Sequence, residues 1–268
     1  MSTTLAPPPR YVDLHVHLIP GVDDGPATRE ETLAILAEAH AQGTRFMVAT
    51  PHMYSPLFAN DDPLPIHEAY SALVDWLVKL AHSPRHAFLR DMQVGLGAEN
   101  HVSEPMLAAL RQGKVLTLGD SDHLLLELPP MLPLRTAVAA IEQVVAAGLA
   151  PIVAHVERVE AVRRDSHAAT ALLEAGAYLQ VNAQSLRGWP GTPLRGLCME
   201  LLEAGFVALV ASDAHNCTDR PPGLHWCYQV LARRFPESDV RRWMESNPAR
   251  MLRIGAATAA DGVESEGR

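Results

Sequence analysis

Short apolar runs alternate with longer amphipathic stretches along most of the chain. The runs are rich in Val, Leu and Ala, and the stretches between them repeat their apolar residues at helical spacing. Continuous apolar strands between amphipathic helices are typical of a parallel sheet that helices cover. We predict seven strands, at residues 11–17, 46–50, 93–99, 123–128, 151–155, 178–182 and 207–213. The predicted helices are residues 28–43, 66–80, 105–111, 134–148, 157–174, 194–203, 224–235 and 240–252.

These elements predict one α/β domain over residues 11–254 of the 268-residue chain, because no shift in composition divides it. Residues 1–10 contain three consecutive prolines and residues 255–268 are small or polar, so both ends are expected to be flexible. The strand pattern fits an open doubly wound sheet or a closed barrel. Both architectures gather ligands at the carboxyl ends of the strands.

The first predicted strand presents two imidazoles on one face. Side chains alternate across a strand, so residues two apart share a face. The pattern places Val12, Leu14 and Val16 on one face and Asp13, His15 and His17 on the other. Neighbouring neutral imidazoles can chelate a cation.

Most of the other predicted strands also end at or near a histidine or a carboxylate. The candidate ligands are His15, His17, Asp24, His52, Glu99, Glu127, His155, Asp213 and His215. The set mixes imidazoles and carboxylates without thiolates, which suits manganese, iron or zinc. Nine candidates exceed what one ion can use, so we predict a cluster of two or three ions. Such a cluster can hold a hydroxide between two metals, and we predict hydrolysis of a phosphate ester.

One of these ligands and two further residues, both arginines, support this chemistry. Glu127 interrupts the apolar run 123–128, and a buried carboxylate requires a cation or a proton. Arg158 and Arg220 follow candidate ligands closely and are expected on loops at the rim of the site. The planar guanidinium of arginine matches the oxygens of a phosphate.

Composition and charge disfavour several other classes of protein. A formal net charge of −9 disfavours a nucleic-acid partner, since such proteins usually carry a basic face. No apolar run approaches the roughly 20 residues that span a bilayer, and the first residues lack a signal-peptide pattern, so a cytoplasmic protein is expected. The three cysteines are not spaced as a disulfide framework or a zinc knuckle and are expected to be reduced.

Seven blocks of sequence, in order along the chain, resemble one known group of enzymes. They are DLHVH at 13–17, VDDG at 22–25, ATPH at 49–52, GAE at 97–99, LELP at 126–129, AHVER at 154–158 and ASDAHN at 211–216. The chain resembles the polymerase and histidinol phosphatase (PHP) superfamily from about residue 11 to residue 252. Within it, Asp24 and Glu127 favour the bacterial metal-dependent tyrosine phosphatases of capsular and exopolysaccharide synthesis, because other branches tend to have histidine there.

The resemblance implies a distorted seven-stranded (β/α)7 barrel of the PHP type, with three divalent metal ions. Manganese is favoured, and iron or zinc would also fit. The implied ligand sets are His15, His17, Glu99 and Asp213 for one ion, Glu99, Glu127 and His155 for a second, and Asp24, His52 and His215 for a third. Asp23 would contact a metal ligand and orient it without binding a metal ion itself.

The resemblance also implies roles for the two arginines and a substrate. Arg158 and Arg220 match the arginines that bind phosphate in that group, although Val156 replaces a usual proline in the loop that carries Arg158. The implied substrate is the phosphotyrosine tail of a polysaccharide-export tyrosine kinase, hydrolysed by a metal-bridging hydroxide.

Several alternatives stay open from the sequence. A small-molecule phosphatase, for example one acting on histidinol phosphate, would use the same metal cluster, and a metal-stabilised binding module would lack turnover. A nuclease is disfavoured by the acidic charge. Cys227 and Arg233 satisfy the Cys-x5-Arg pattern of cysteine-dependent phosphatases, but the stretch lacks glycine and continues a helical pattern. Helix-interior N–H groups already bond carbonyls and cannot cradle phosphate.

Overall fold

The computed structural model describes residues 10–187 and 194–254. The carboxyl-terminal segment predicted to be flexible, and all but Arg10 of the amino-terminal one, lie outside the described residues. The described strands are β1 (Tyr11–Val16), β2 (Thr44–Ala49), β3 (His52–Met53), β4 (Gln93–Leu96), β5 (Glu99–His101), β6 (His123–Glu127), β7 (Ala150–Val153), β8 (Tyr178–Asn182) and β9 (Val207–Ala211).

Helices follow most of the strands. The described α-helices are α1 (Arg29–Ala41), α2 (Pro63–Leu80), α3 (Glu104–Arg111), α4 (Leu134–Ala146), α5 (Glu160–Arg164), α6 (Ala168–Glu174), α7 (Ala183–Arg187), α8 (Leu194–Glu203), α9 (Leu224–Leu231), α10 (Glu237–Arg241) and α11 (Asn247–Met251). Short 3₁₀ helices cover Pro84–Asp91 and Val156–Arg158, and a π-helical turn covers Arg242–Ser246. The predicted helix 157–174 is therefore three short segments.

The strands form two parallel sheets. One has the order β1-β2-β4 and the other the order β3-β5-β6-β7-β8-β9. The chain after β9 returns to β1, where Val16 and Ala214 form a parallel bridge. The amide of His17 donates to the carbonyl of Ala214 at 2.9 Å, and that of Asp213 donates to the carbonyl of His15 at 2.9 Å. The predicted parallel α/β architecture is confirmed.

The predicted strand 93–99 is two strands that belong to different sheets. The break falls at Gly97, where an added Cβ would lie 2.8 Å from Leu118 Cδ2 and 3.2 Å from the carbonyl oxygen of Thr117. Only glycine allows this close approach without a shift of its neighbours. The chain can therefore step from β4 to β5, and Glu99 opens a strand of the larger sheet.

The predicted alternation in β1 is wrong past Leu14. The pairing with β2 shifts register between Asp13 and Val16, because β1 carries an extra residue there. Val12 and Leu14 consequently pack in one apolar cluster, whereas Val16 packs in the other with Tyr11. The bulge leaves Asp13 off the face that carries the two histidines. Its Oδ1 instead accepts from the amide of Ser212 at 3.0 Å.

Two apolar clusters stabilise the fold. The smaller lies inside the curved sheets, where Val48, Leu125, Ile152 and Leu209 from four strands meet. The larger lies between the strands and the surrounding helices. Helix α1 begins with a capping box, in which the Thr28 side chain accepts from the amide of Glu31 and the Glu31 side chain accepts from the amide of Thr28. In the described ranges, no helix has the length and apolar content to cross a membrane.

Candidate metal centre

The nine predicted ligands lie together at the carboxyl ends of the strands. Seven of them are at or near the end of a strand or on the segment that follows, and His52 and Glu99 open the short strands β3 and β5 shortly after β2 and β4 end. The parallel architecture thus brings residues from distant parts of the sequence to one edge. Six of them are almost fully buried: His15, His17, Glu99, His155, Asp213 and His215. His52 is 12% exposed, Glu127 20% and Asp24 44%, so the open side of the centre is formed by these three.

Glu99 lies at the middle of the group. Its Oε2 is 3.3 Å from His15 Nε2, 3.4 Å from His17 Nε2 and 3.0 Å from His52 Nδ1. Its Oε1 is 2.7 Å from His155 Nε2. One carboxylate therefore faces four imidazoles, and it can bridge two ions.

Asp24 and Asp213 complete the group on its other sides. Asp24 Oδ1 lies 3.2 Å from His215 Nε2 and 3.5 Å from His52 Nε2. Asp213 Oδ1 lies 3.4 Å from His15 Nε2 and 3.5 Å from His17 Nε2. Three sets have ligand atoms within 4.8 Å of one another: His15, His17 and Glu99; His52, Glu99 and Glu127; and His17, Asp24, His52 and His215.

These sets overlap with the implied ligand sets but are not identical to them. His52 rather than His155 groups with Glu99 and Glu127, and His17 joins the set around Asp24. His155 contacts the other oxygen of Glu99 instead.

The ligand atoms themselves fit a cation. Within the described part of the chain, five buried atoms that point into the centre have no hydrogen-bond partner: His15 Nε2, His17 Nε2, His52 Nδ1, Glu99 Oε2 and His215 Nε2. Buried polar groups without a partner are rare and costly. Several such nitrogen and oxygen atoms converging on one place are explained if they bind metal ions, and the absence of thiolates suits a catalytic rather than a structural site.

The histidines and carboxylates of the centre each stabilise the charged form of the other. Burial opposes ionisation of Asp213 and Glu99, but facing histidines, above all His15, hold the pKa of each carboxyl well below its usual range. Burial likewise opposes a charge on His15, yet Glu99 and Asp213 outweigh it and raise the pKa of the imidazole. The carboxylates are therefore ionised and ready to bind cations.

Residues behind the ligands orient them. Asp23 Oδ2 lies 2.7 Å from His17 Nδ1 and also accepts from the amide of His52 at 3.0 Å. Glu127 Oε2 lies 2.7 Å from His101 Nδ1, a histidine that the sequence did not single out. Glu127 is less buried than its place in an apolar run suggests, because it is the last residue of β6 and is 20% exposed, and its partner in the structure is His101. Metal-binding groups are commonly oriented by such contacts.

The two predicted arginines both reach Asp213. Arg158 Nη2 donates to Asp213 Oδ2 at 3.1 Å. Arg220 Nη2 lies 3.0 Å from both oxygens of Asp213, and its Nη1 donates to Asp24 Oδ2 at 3.0 Å. Val156 is buried, and the 3₁₀ helix that it begins still directs Arg158 toward the centre.

The loop that carries Arg220 is organised by Asn216. Asn216 Oδ1 accepts from the amides of Thr218, Asp219 and Arg220 at 2.9, 2.8 and 3.0 Å, and from the hydroxyl of Thr218 at 3.1 Å. The amide of His215 donates to the carbonyl of Arg220 at 2.9 Å. The loop thus folds back so that the guanidinium lies over the carboxylates.

Two candidate ligands adopt a backbone conformation that L-residues rarely take. His155 has φ +29° and Asp213 has φ +53°. A non-glycine residue held at positive φ costs about 1–3 kcal/mol, and such residues concentrate at functional sites. Here the conformation turns both side chains inward immediately after their strands.

The sequence comparison identifies the family. The family model described as "Capsular polysaccharide synthesis, CpsB/CapC" matches residues 11–253, which is nearly the whole chain. The chain belongs to the CpsB/CapC family.

Two tyrosine-protein phosphatases are similar to this chain over almost the same length. The chain is 27% identical over 246 residues to the tyrosine-protein phosphatase CpsB of Streptococcus pneumoniae, covering 90% of this chain and 98% of that protein. It is 29% identical over 242 residues to the tyrosine-protein phosphatase YwqE of Bacillus subtilis, covering 90% and 91%.

Solved structures agree. One from the work on YwqE of B. subtilis and CpsB of S. pneumoniae, described as metal-dependent tyrosine phosphatases, has a TM-score of 0.80 at 28% identity and covers 90% of this chain and 94% of that one. An organophosphorus hydrolase of Deinococcus radiodurans has a TM-score of 0.54 at 16% identity, covering 90% and 92%, a likeness of fold alone.

In this member of the CpsB/CapC family, the Cys-x5-Arg pattern has no catalytic geometry. Cys227 lies inside α9 and is fully buried. Burial raises the pKa of its thiol far above the ordinary value, so the nucleophilic thiolate is disfavoured. A cysteine-dependent mechanism would require the opposite.

Proposed function

We propose that this protein is a metal-dependent protein-tyrosine phosphatase whose single catalytic domain spans residues 11–254. The observation that carries the proposal is the convergence of unpartnered histidine and carboxylate atoms beside two arginines. The named relatives, which are tyrosine phosphatases, support the same reaction. The seven-stranded PHP-type barrel would arise if β2 with β3, and β4 with β5, each count as one bent strand.

The ligand groups favour three divalent ions, with manganese the first choice and iron or zinc as alternatives. The residues proposed to hold them are His15, His17, Asp24, His52, Glu99, Glu127, His155, Asp213 and His215. When bound, divalent ions supply Lewis acidity toward the phosphoryl oxygens and the attacking water. Three such ions would contribute about +6 against about −4 from the four carboxylates, so the mouth attracts a phosphate.

The chain's own groups then bind and orient the substrate. Arg158 and Arg220 stand at the rim of the centre, and their guanidinium groups donate to phosphate oxygens as charge accumulates during transfer. Glu99 and Asp213 fix the ligands around them. The phenol of tyrosine has a pKa of about 10 and leaves more readily than a serine alkoxide, so no dedicated acid is assigned.

The family's association with capsular polysaccharide synthesis supports a substrate class. The substrate would be the phosphotyrosine tail of a polysaccharide-export tyrosine kinase, and the reaction would take place in the cytoplasm. No nucleic acid is involved.

The test compares substrates and metals. Purified protein should hydrolyse a phosphotyrosine peptide with a higher kcat/KM than histidinol phosphate, lose activity in EDTA and regain it with MnCl2. Arg220→Lys is a matched variant, since it keeps the charge without the planar fork and should raise KM. EDTA-resistant turnover would refute the metal mechanism, and a preference for histidinol phosphate would favour the small-molecule alternative.

A further inference from the structure

Strand β8 places two carboxamides beneath the metal centre. Gln180 and Asn182 are fully buried, and Leu179 and Val181, which alternate with them, pack in the larger apolar cluster outside the sheet, here called the outer cluster. Primary amides inside a sheet are unfavourable unless their N–H and C=O groups are bonded. Their position on the inner face therefore needs a reason.

The two amides form one hydrogen-bonded chain between two candidate ligands. Asn182 Nδ2 donates to Asp213 Oδ2 at 2.7 Å, and Gln180 Nε2 donates to Asn182 Oδ1 at 2.5 Å. Gln180 Oε1 lies 3.0 Å from His15 Nδ1. The backbone of Asn182 is held as well, because its amide donates to Glu157 Oε1 at 3.1 Å.

The direction of this chain follows from its Asp213 end. Asp213 accepts from two arginines and is ionised, so it can only accept from Asn182. Asn182 must then present its oxygen to Gln180, and Gln180 must present its oxygen to His15. An oxygen facing His15 Nδ1 requires that this nitrogen carry the proton. In the neutral ring, the lone pair of His15 is consequently on Nε2, the atom that points into the centre without a hydrogen-bond partner.

We propose that Gln180 and Asn182 are positioning residues that hold His15 in its Nδ1-protonated tautomer and fix the orientation of Asp213. The inference rests on the proposed function, since it concerns the readiness of this site for metal. It also distinguishes His15 from His17. The corresponding nitrogen of His17 faces the carboxylate of Asp23, whereas that of His15 faces a neutral amide. A neutral partner fixes the tautomer without adding a buried negative charge.

Three variants test this hydrogen-bonded chain from Asp213 to His15, which we call the relay. Gln180→Met keeps the length of the side chain but removes both hydrogen bonds. Gln180→Glu keeps an oxygen for His15 and loses the donor to Asn182. Val181→Ala is the matched control, because Val181 lies on the same strand, is equally buried and faces the outer cluster.

The first measurement is ¹⁵N NMR of the histidine rings in metal-free protein, at a pH above the raised pKa of His15 so that its ring is neutral, with His15 assigned by its absence in His15→Gln. Wild type, Val181→Ala and Gln180→Glu should show Nδ1–H at His15, and Gln180→Met should lose that preference. The second is a MnCl2 titration followed by the EPR signal of free Mn²⁺. Gln180→Met should bind about 10–100-fold more weakly and Gln180→Glu less so, as is usual for groups behind metal ligands. The affinity of Val181→Ala for Mn²⁺ should stay within about twofold of wild type, a much smaller change than that of Gln180→Met.

A folded Gln180→Met protein with an unchanged His15 tautomer and unchanged affinity would overturn the relay. If Gln180→Met does not fold, loss of the Nδ1–H tautomer in Gln180→Glu would overturn it equally. A wild-type protein that binds no Mn²⁺ would refute the proposed function, whereas the NMR measurement needs no metal and would still decide the relay.

Discussion

Asn216 offers a quantitative test of how the chain aims Arg220. Its carboxamide oxygen accepts four hydrogen bonds within the loop 216–220, and Asn216→Ala removes all of them. The loop is partly exposed, so each bond contributes about 0.5 kcal/mol, the low end of the usual range. Four give about 2 kcal/mol, which corresponds to about a 30-fold fall in the equilibrium constant for ordering the loop, and to at most that fall in the fraction of ordered loop.

If the loop acts only through Arg220, that figure is the upper limit for the loss of kcat/KM. Steady-state kinetics on a phosphotyrosine peptide with saturating Mn²⁺ would measure it. Asn216→Asp retains an oxygen that can accept the same donors, so it should lie close to wild type. In an Arg220→Ala background, Asn216→Ala should cost almost nothing further, because the group that the loop aims is gone.

Two outcomes would contradict this reasoning. Full activity in Asn216→Ala would show that Arg220 needs no organised loop. A further loss of the same size in the Arg220→Ala background would show that Asn216 acts through another group.

Three other variants probe separate features. Cys227→Ser should keep kcat/KM within about twofold while lowering the unfolding free energy by about 1–2 kcal/mol, because a hydroxyl replaces a buried thiol; abolished activity in a folded protein would revive the cysteine mechanism. Thr28→Ala removes the capping box of α1 and should lower the unfolding free energy by about 1 kcal/mol with unchanged kinetics, measured by urea denaturation. Burial raises the pKa of Asp13 to about 6, so its folded carboxyl holds a proton that the unfolded chain releases earlier, and stability falls as pH rises from about 4 to 6. Asp13→Asn should remove that fall, and metal-free Asp13→Asn should be more stable than wild type at pH 7 by up to about 3 kcal/mol; equal pH dependence in the two proteins would refute this.

Much of the centre is readable from the sequence because its signals are local. A histidine or carboxylate at the end of an apolar run, such as His155 after 151–154, is visible one strand at a time. A parallel α/β arrangement then brings all those ends to one edge. The grouping of all nine residues thus follows from local patterns and one rule of architecture.

What the sequence missed depends on partners far along the chain. The bulge in β1 is defined by its register with β2, and the break at Gly97 is set by the approach of Leu118. His101 gains its place only through Glu127. Gln180 and Asn182 did carry a signal, since they alternate with two apolar residues, but amides do not stand out among candidate metal ligands.

The hydrogen bonds between β1 and the chain that follows β9 also affect which inactive variants can accumulate in the cell. These bonds are made by backbone groups of His15, His17 and Asp213 and by the carboxylate of Asp13. A substitution that the backbone there cannot accommodate, for example a β-branched residue in place of Asp213 with its φ of +53°, therefore loosens the closure of the fold as well as the site, and opened molecules are removed by cellular proteases. Inactive alleles altered here should accumulate poorly in the cell, so a dead but abundant protein is better sought at Arg158 or Arg220, whose side chains lie at the rim.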